Sequence, residues 1–324
     1  VRTASGTDES VSRIAVVALG GNALVRDDRH QSIPDQYVTV QSVAPPLVDL
    51  VEDGWRLVVA HGNGPQVGYI LRRSEIARAE VAPVPVDYAV GDTQGAIGYM
   101  FQKAIGNELR RRGRPDPVVT VVTQTIVDAD DPAFGRPTKQ VGAFMDRATA
   151  DSHAAELGWT IVEEPGRGWR RTVASPAPRA IVELPVIAGL LETGAIVIAV
   201  GGGGIPVART AGGDLVGVEA VVDKDRAAAL AAIALGADLL AIPTAVPRIA
   251  IDYGRPSQRW LSRLDVAEAT ALAASGQFGE GSMRPKVDAL VSFVSARPAA
   301  VGVVCSVEDL PAALRGDAGT RITA

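Results

Sequence analysis

The sequence predicts an α/β protein with a mainly parallel sheet covered by helices on both faces, and three features carry that prediction. Short apolar runs recur along the chain: RIAVVAL at 13–19, RLVVA at 56–60, PVVTVVT at 117–123, AIVIAV at 195–200, DLLAIPT at 238–244 and VGVVC at 301–305. Segments with helical spacing separate most of them. Three of the runs open directly onto glycine turns: Gly20-Gly21-Asn22, His61-Gly62-Asn63-Gly64 and the four glycines 201–204. A strand that ends in such a turn is how α/β folds present backbone donors to a ligand at the sheet's carboxyl edge.

Taken in order, the first strand and its glycine turn precede helical spacing from Gln36 to Glu52. The second strand runs into HGNGPQ, read as a loop, where His61 reads as a loop or core histidine and not as a general base. A helix over Val90–Arg112 ends in RRRGR, an expected solvated helix end. From Asp128 to Arg179 proline, glycine and charge dominate and periodicity fails, which predicts a lid or small subdomain. A helix at Ile181–Thr193, a strand and GGGG lead to Asp223-Lys224-Asp225 at the mouth of an alanine-rich helix, 225–235. Strands DLLAIPT and RIAIDYG, helices near 265–275 and 285–296, VGVVC, a further helix and GTRIT complete the chain.

Net charge is −5 and aromatic residues make up 4%, which argues against a nucleic-acid partner. Cys305 is the only cysteine, so an intrachain disulfide or a cysteine metal cluster is excluded, and a buried strand position is expected for it. No apolar stretch is long enough to span a bilayer. Residues 1–12 are polar, lack a signal-peptide core and are expected to be a disordered tail; a cytoplasmic location follows from the same reading.

Lysine placement is the sharpest compositional fact. Of 32 basic residues only Lys103, Lys139, Lys224 and Lys286 are lysine, leaving 28 arginines. A lysine is a compact point charge, whereas arginine is a broad planar fork. Lys103 lies in a helical pattern, where an exposed helix lysine is expected. The other three lie in Gly-, Pro- or Asp-bearing segments. Lys224, held between two carboxylates at a helix start and downstream of four glycines, describes a place for a phosphate. A surface turn before an ordinary acidic helix start would read the same.

Other chemistries lack their parts. GxxxxGK[ST] and GxSxG are absent, Val207 stands where a dinucleotide fingerprint needs its third glycine, and no ligand spacing suggests zinc. Glycine-lined loops with isolated lysines are the equipment of phosphoryl transfer by positioning and charge neutralisation.

The motifs VALGGNAL, HGNGPQVG, DPAFGRPTKQVG, GWRRTVASPAP, AVGGGGIPV, GVEAVVDKD and GSMRPKV, in this order, closely resemble the carbamate kinases of the amino-acid-kinase family, from about residue 13 to the terminus. The resemblance implies a three-layer α/β sandwich in two lobes with a protruding lid. Residues 13–212 would hold carbamate or carbamoyl phosphate, with 128–179 as the lid, and 213–324 would hold ATP or ADP. It implies magnesium, a homodimer, and use in arginine or agmatine breakdown. Catalytic roles fall to Lys139, Lys224, Lys286 and Asp225; substrate contacts to Gly20, Gly21, Asn22, Gly62, Asn63, Gly64, Gly203 and Gly204; nucleotide contacts to Lys224, Ser282, Met283, Pro285 and Lys286. No residue is assigned to a metal. Ala18 stands where related kinases carry lysine, and Lys139 from the lid would supply that charge. Arg284 is expected to face solvent. Another small-acid kinase of the same fold, or a non-catalytic metabolite-binding regulator, are the alternatives.

Overall fold

The computed structural model describes residues 13–21, 24–25 and 29–324; the 1–12 tail and Asn22 lie outside the described residues. The first half of the chain runs β1 (Ile14–Leu19), α1 (Ile33–Glu52), β2 (Arg56–His61), α2 (Gly64–Ile76), α3 (Val86–Arg111), β3 (Val118–Thr120), β4 (Gln124–Val127), β5 (Lys139–Met145), α4 (Arg147–Leu157), β6 (Thr160–Glu164) and β7 (Gly168–Val173). It continues through β8 (Pro178–Ile181), α5 (Leu184–Glu192), β9 (Ile196–Ile198), β10 (Ile205–Arg209), β11 (Leu215–Gly217), α6 (Lys224–Ala234), β12 (Leu239–Pro243), β13 (Ile249–Ile251), β14 (Arg259–Leu261), β15 (Arg263–Asp265), α7 (Val266–Ala274), α8 (Met283–Ala296), β16 (Val301–Cys305), α9 (Leu310–Arg315) and β17 (Thr320–Thr323).

An eight-stranded sheet in the order β15-β17-β16-β12-β1-β2-β9-β3 forms the centre of the molecule. Its strands from β16 to β3 are parallel, and β17 runs antiparallel to β16. Alternation along these buried strands sends side chains into two separate cores. Ala15, Val17, Leu57, Val59, Leu239 and Ala241 pack with Val43, Leu47, Phe101 and Ile105 of α1 and α3. Val16, Ala18, Val58, Ala60, Leu240 and Ile242 pack with Ala227, Ala231, Leu290 and Phe293 of α6 and α8. One sheet between two helical layers is the predicted three-layer sandwich, and its two cores explain why the strands read as continuous apolar runs.

Several boundaries differ from the sequence expectations. The stretch HGNGPQ opens a helix, α2, because Gly64 and Pro65 occupy its first turn, where a missing N–H costs nothing. Helix α1 starts at Ile33, before Gln36, since Ser32 and Asp35 form a capping box. Only 118–120 of PVVTVVT joins the central sheet; the chain then enters β4 of a second sheet, β11-β10-β4-β8. Much of the segment expected to be irregular is regular, carrying the antiparallel sheet β5-β7-β6 and helix α4. Its packing escapes hydrophobic periodicity because arginine stacks on aromatic rings there: Arg147 on Trp169, Arg167 on Phe144 and Arg171 on Trp159. The RRRGR cluster is also not simply solvated, for Arg112 binds Asp49, Glu52 and Glu108 and so joins α3 to α1.

Candidate active site

The chain returns to both sides of β1, to β2 on one flank and to β12 on the other, so strand order reverses there. The crevice at such a switch point, at the strands' carboxyl ends, is where open α/β sheets bind ligands. The Gly62 N–H donates to the Leu19 carbonyl at 2.9 Å, which brings the turn after β2 against the turn after β1. Gly20 and Gly21 face a cleft of about 990 Å³ that continues along Thr244–Val246 after β12, Ser306–Glu308 after β16, and Gly276–Gly279 and Gly281–Met283 before and at the start of α8.

Three lysines from distant parts of the sequence meet beside this crevice. Asp223 caps α6 by accepting from the N–H groups of Asp225 and Arg226. Lys224 Nζ then lies 2.5 Å from Asp225 Oδ1 and donates to the Ala18 carbonyl at 3.2 Å, on the strand position that lacks a lysine of its own. Lys286, in the first turn of α8, reaches Asp225 Oδ2 at 3.0 Å. Lys139, at the start of β5, contacts Asp223 Oδ2 at 3.5 Å. Burial pushes the Asp225 carboxyl up, but the Lys224 and Lys286 charges outweigh it and hold it below the usual carboxylate range. Burial lowers Lys224 from the ordinary lysine value, and Asp225 opposes that shift. Two ammonium groups on one carboxylate, at the N-termini of two helices, form a concentrated positive site.

The glycine run after β9 serves packing as much as exposure. Gly203 donates its N–H to Val200 at 3.1 Å and Gly204 to Gly201 at 3.0 Å, so these two amides, expected to face substrate, are spent inside the turn. Their positive φ angles, 91° and 87°, require glycine, and a Cβ on Gly204 would sit 2.0 Å from Thr125 Oγ1. Val200 also adopts a positive φ of 55°, uncommon for a β-branched residue and a sign of local strain. Asn63 is buried, donating to Thr93 Oγ1 at 2.8 Å, and packs against Gly202. A Cβ on Gly64 would meet open space.

Ser282, Met283 and Lys286 line the large cleft, whereas Pro285 and Lys224 do not. Arg284 is only partly exposed and is not free in solvent: it pairs with Asp288 at 2.8 Å and donates to the Ala273 carbonyl at 2.6 Å, joining α8 to α7. Lys103 lies 3.7 Å over the Tyr37 ring, far from this chemistry in its contacts. Cys305 is buried on β16, which pushes its thiol up to about 12.

The sequence matches the amino acid kinase family over residues 13–302. The chain belongs to the amino acid kinase family. It is 45% identical over 315 residues to the carbamate kinase-like protein YahI of Escherichia coli strain K12, covering 96% of this chain and 99% of that one. It is 45% identical over 310 residues to the carbamate kinase of Thermococcus kodakarensis, covering 95% and 98%. A carbamate kinase from Giardia lamblia bound to AMP-PNP superposes with a TM-score of 0.92 at 38% identity, over 97% of this chain and 99% of that one.

In this amino acid kinase the histidine next to the crevice is buried and held by its neighbours on both ring nitrogens. His61 is buried and stacked on Phe101 at 6.0 Å, and Nδ1 lies 3.0 Å from the Gly62 carbonyl. Burial, aided by the Lys224 charge and opposed by the Gly62 hydrogen bond, lowers its pKa to about 4. The ring is therefore neutral at pH 7, and the Gly201 backbone packs against Nε2. Sequence reading did not find Thr244, Ala245, Val246, Arg248, Asp252 or Gln277 as cleft residues. They lie on or beside the loops after β12 and β13 and before α8, and no local motif marks them.

Proposed function

We propose that this amino acid kinase is a carbamate kinase that catalyses reversible transfer of a phosphoryl group between ATP and carbamate, giving ADP and carbamoyl phosphate. The observation that carries the reading is the meeting of Lys139, Lys224 and Lys286 around Asp223 and Asp225. A carbamate acceptor is already an anion, so it needs charge neutralisation and alignment, not deprotonation. The strong identity to carbamate kinases supports the same substrate.

Lys224 and Lys286 would neutralise charge on the transferring phosphoryl group and the nucleotide phosphates, with Asp225 holding both ammonium groups in place. Lys139 would leave Asp223 and meet the phosphoryl group from the other side. Gly20, Gly21, Gly62, Asn63 and Gly64 would border the carbamate end, with the nucleotide in the 990 Å³ cleft. On this reading residues 13–212 serve the small substrate and 213–324 the nucleotide, in a homodimer fed by arginine or agmatine breakdown. Magnesium would supply further neutralisation of the nucleotide phosphates. It keeps several waters and needs only one or two carboxylates from a protein; among the described residues no group of three or more His, Cys, Asp or Glu could hold it alone.

The test is a coupled assay for ATP formed from ADP and carbamoyl phosphate, with acetyl phosphate as the control. ATP formation selective for carbamoyl phosphate is expected. Equal or greater activity with acetyl phosphate would reassign the substrate, and no ATP from either would favour a binding protein.

A further inference from the structure

Strand β7 and the segment before α6 lie side by side, and two ion pairs of different character close the two ends of their contact. Across β5 and β7 the register sets Lys139 opposite Val173 and Val141 opposite Arg171, so these four residues share one face of the small sheet. Val141 and Val173 are buried on that face against Val67, Leu71, Val86 and Val221. Arg171 Nη2 meets Glu219 Oε2 at 2.6 Å, and Lys139 Nζ meets Asp223 Oδ2 at 3.5 Å. Between them the Val221 N–H donates to the Ala174 carbonyl at 2.9 Å, and Ala174 bridges Ala220.

The arginine end is built to stay and the lysine end to let go. The Arg171 side chain is 9% exposed, and its guanidinium lies 4.4 Å over the Trp159 ring. Trp159 is in turn held edge-on by His153, at 4.7 Å between ring centres. The Lys139 side chain is 42% exposed, and its single carboxylate contact is long. An incoming phosphoryl group would compete with Asp223 for that ammonium.

We propose that Arg171 and Glu219 form a positioning latch, holding the small sheet against residues 219–223 so that Lys139, once released from Asp223, is delivered to the space beside Lys224. Neither latch residue touches substrate; both act through Lys139. The inference rests on the carbamate kinase reading for its activity measurements, but not for its exchange measurement.

The test uses the full chain with Glu219→Gln, a change at a side chain that is 61% exposed and so should not threaten folding. Amide hydrogen exchange at Val221 and along β7 is expected to rise about three- to fivefold, the scale of one partly exposed ion pair. Once Lys139 has left Asp223 the latch is the main tie on that face of the small sheet, so docked and undocked forms become comparable in the reacting state and the kcat for ATP formation should fall about three- to fivefold, with little change in the KM for ADP. Arg171→Lys keeps the charge and loses the fork, so it should show the same pattern. In a Lys139→Ala background Glu219→Gln should cost nothing further. Unchanged exchange in Glu219→Gln would overturn the latch. Increased exchange with unchanged kcat, or a loss that multiplies undiminished on Lys139→Ala, would overturn its action through Lys139. An inactive wild-type enzyme would instead sink the substrate assignment, and exchange at Val221 would still decide the latch.

Discussion

Replacing Asp225 with asparagine should unmask the cost of confining two ammonium groups in one place. The Asp225 side chain is 6% exposed, and it faces Lys224 at 2.5 Å and Lys286 at 3.0 Å, whose side chains are 13% and 15% exposed. Removing one partner from a buried ion pair costs about 3–5 kcal/mol, because the remaining charge stays desolvated. An upper limit comes from the lysine itself. At pH 7 a lysine of ordinary pKa 10.5, as in the unfolded chain, sheds its proton for about 5 kcal/mol, so confining one uncompensated lysine cannot cost more than that. The expected loss is therefore about 3–5 kcal/mol at pH 7, a large share of a typical folding free energy. At pH 9.5 proton release costs only about 1–2 kcal/mol, so the gap between variant and wild type should narrow. Urea midpoints of both proteins at pH 7 and 9.5 provide the measurement. A loss below about 1 kcal/mol at pH 7, or one that does not shrink at pH 9.5, would refute the claim that Asp225 neutralises both lysines.

Other consequences follow from the same contacts. Lys139→Ala should lower kcat by about a hundredfold in the coupled assay while leaving the urea midpoint nearly unchanged, because its contact with Asp223 is long and half-exposed; unaltered turnover would remove Lys139 from the reaction. Lys224→Arg should lose at least about tenfold in kcat/KM despite its charge, since a fork cannot replace a point charge lodged between Ala18 and Asp225. Near-native kinetics would contradict that. His61 has a folded pKa of about 4 against an ordinary 6.5, so the unfolded chain binds its proton at higher pH than the folded one. Its contribution thus makes stability rise with pH between about 4 and 6.5, and about 3 kcal/mol is lost as pH falls through that window. His61→Gln should flatten this part of the urea-midpoint profile, and an identical slope would show that His61 is not the group responsible.

The candidate site was legible in the sequence where local chemistry marks it. Four lysines among 32 basic residues, three of them in Gly-, Pro- or Asp-bearing segments, single out Lys139, Lys224 and Lys286 before any fold is known. The Asp223-Lys224-Asp225 triplet announces a capped helix start, and Asp223 does cap α6. The glycine run misled in part: the sequence shows that no Cβ is present, but not which neighbours forbid one. Thr125 and Val222 press on Gly204 and Gly203 from other elements, and the turn consumes their amides. Arg112 and Arg284 likewise read as solvated charges because their partners lie on α1 and α7.

By itself the sequence determined the α/β alternation, the glycine turns at strand ends, the family and the unusual placement of three of its four lysines, since all of these reside in residue type and short spacing. Only the tertiary structure decided that Lys139, from the small sheet, and Lys286, from α8, converge on the start of α6, and that loops after β12 and β13 and before α8 wall one cleft. Such convergence depends on strand order and on packing between residues far apart in sequence, for which short-range patterns carry no signal. Arg171 and Glu219 are 48 positions apart, and only the register of β5 with β7, together with the Ala174–Ala220 bridge, brings their charges into contact.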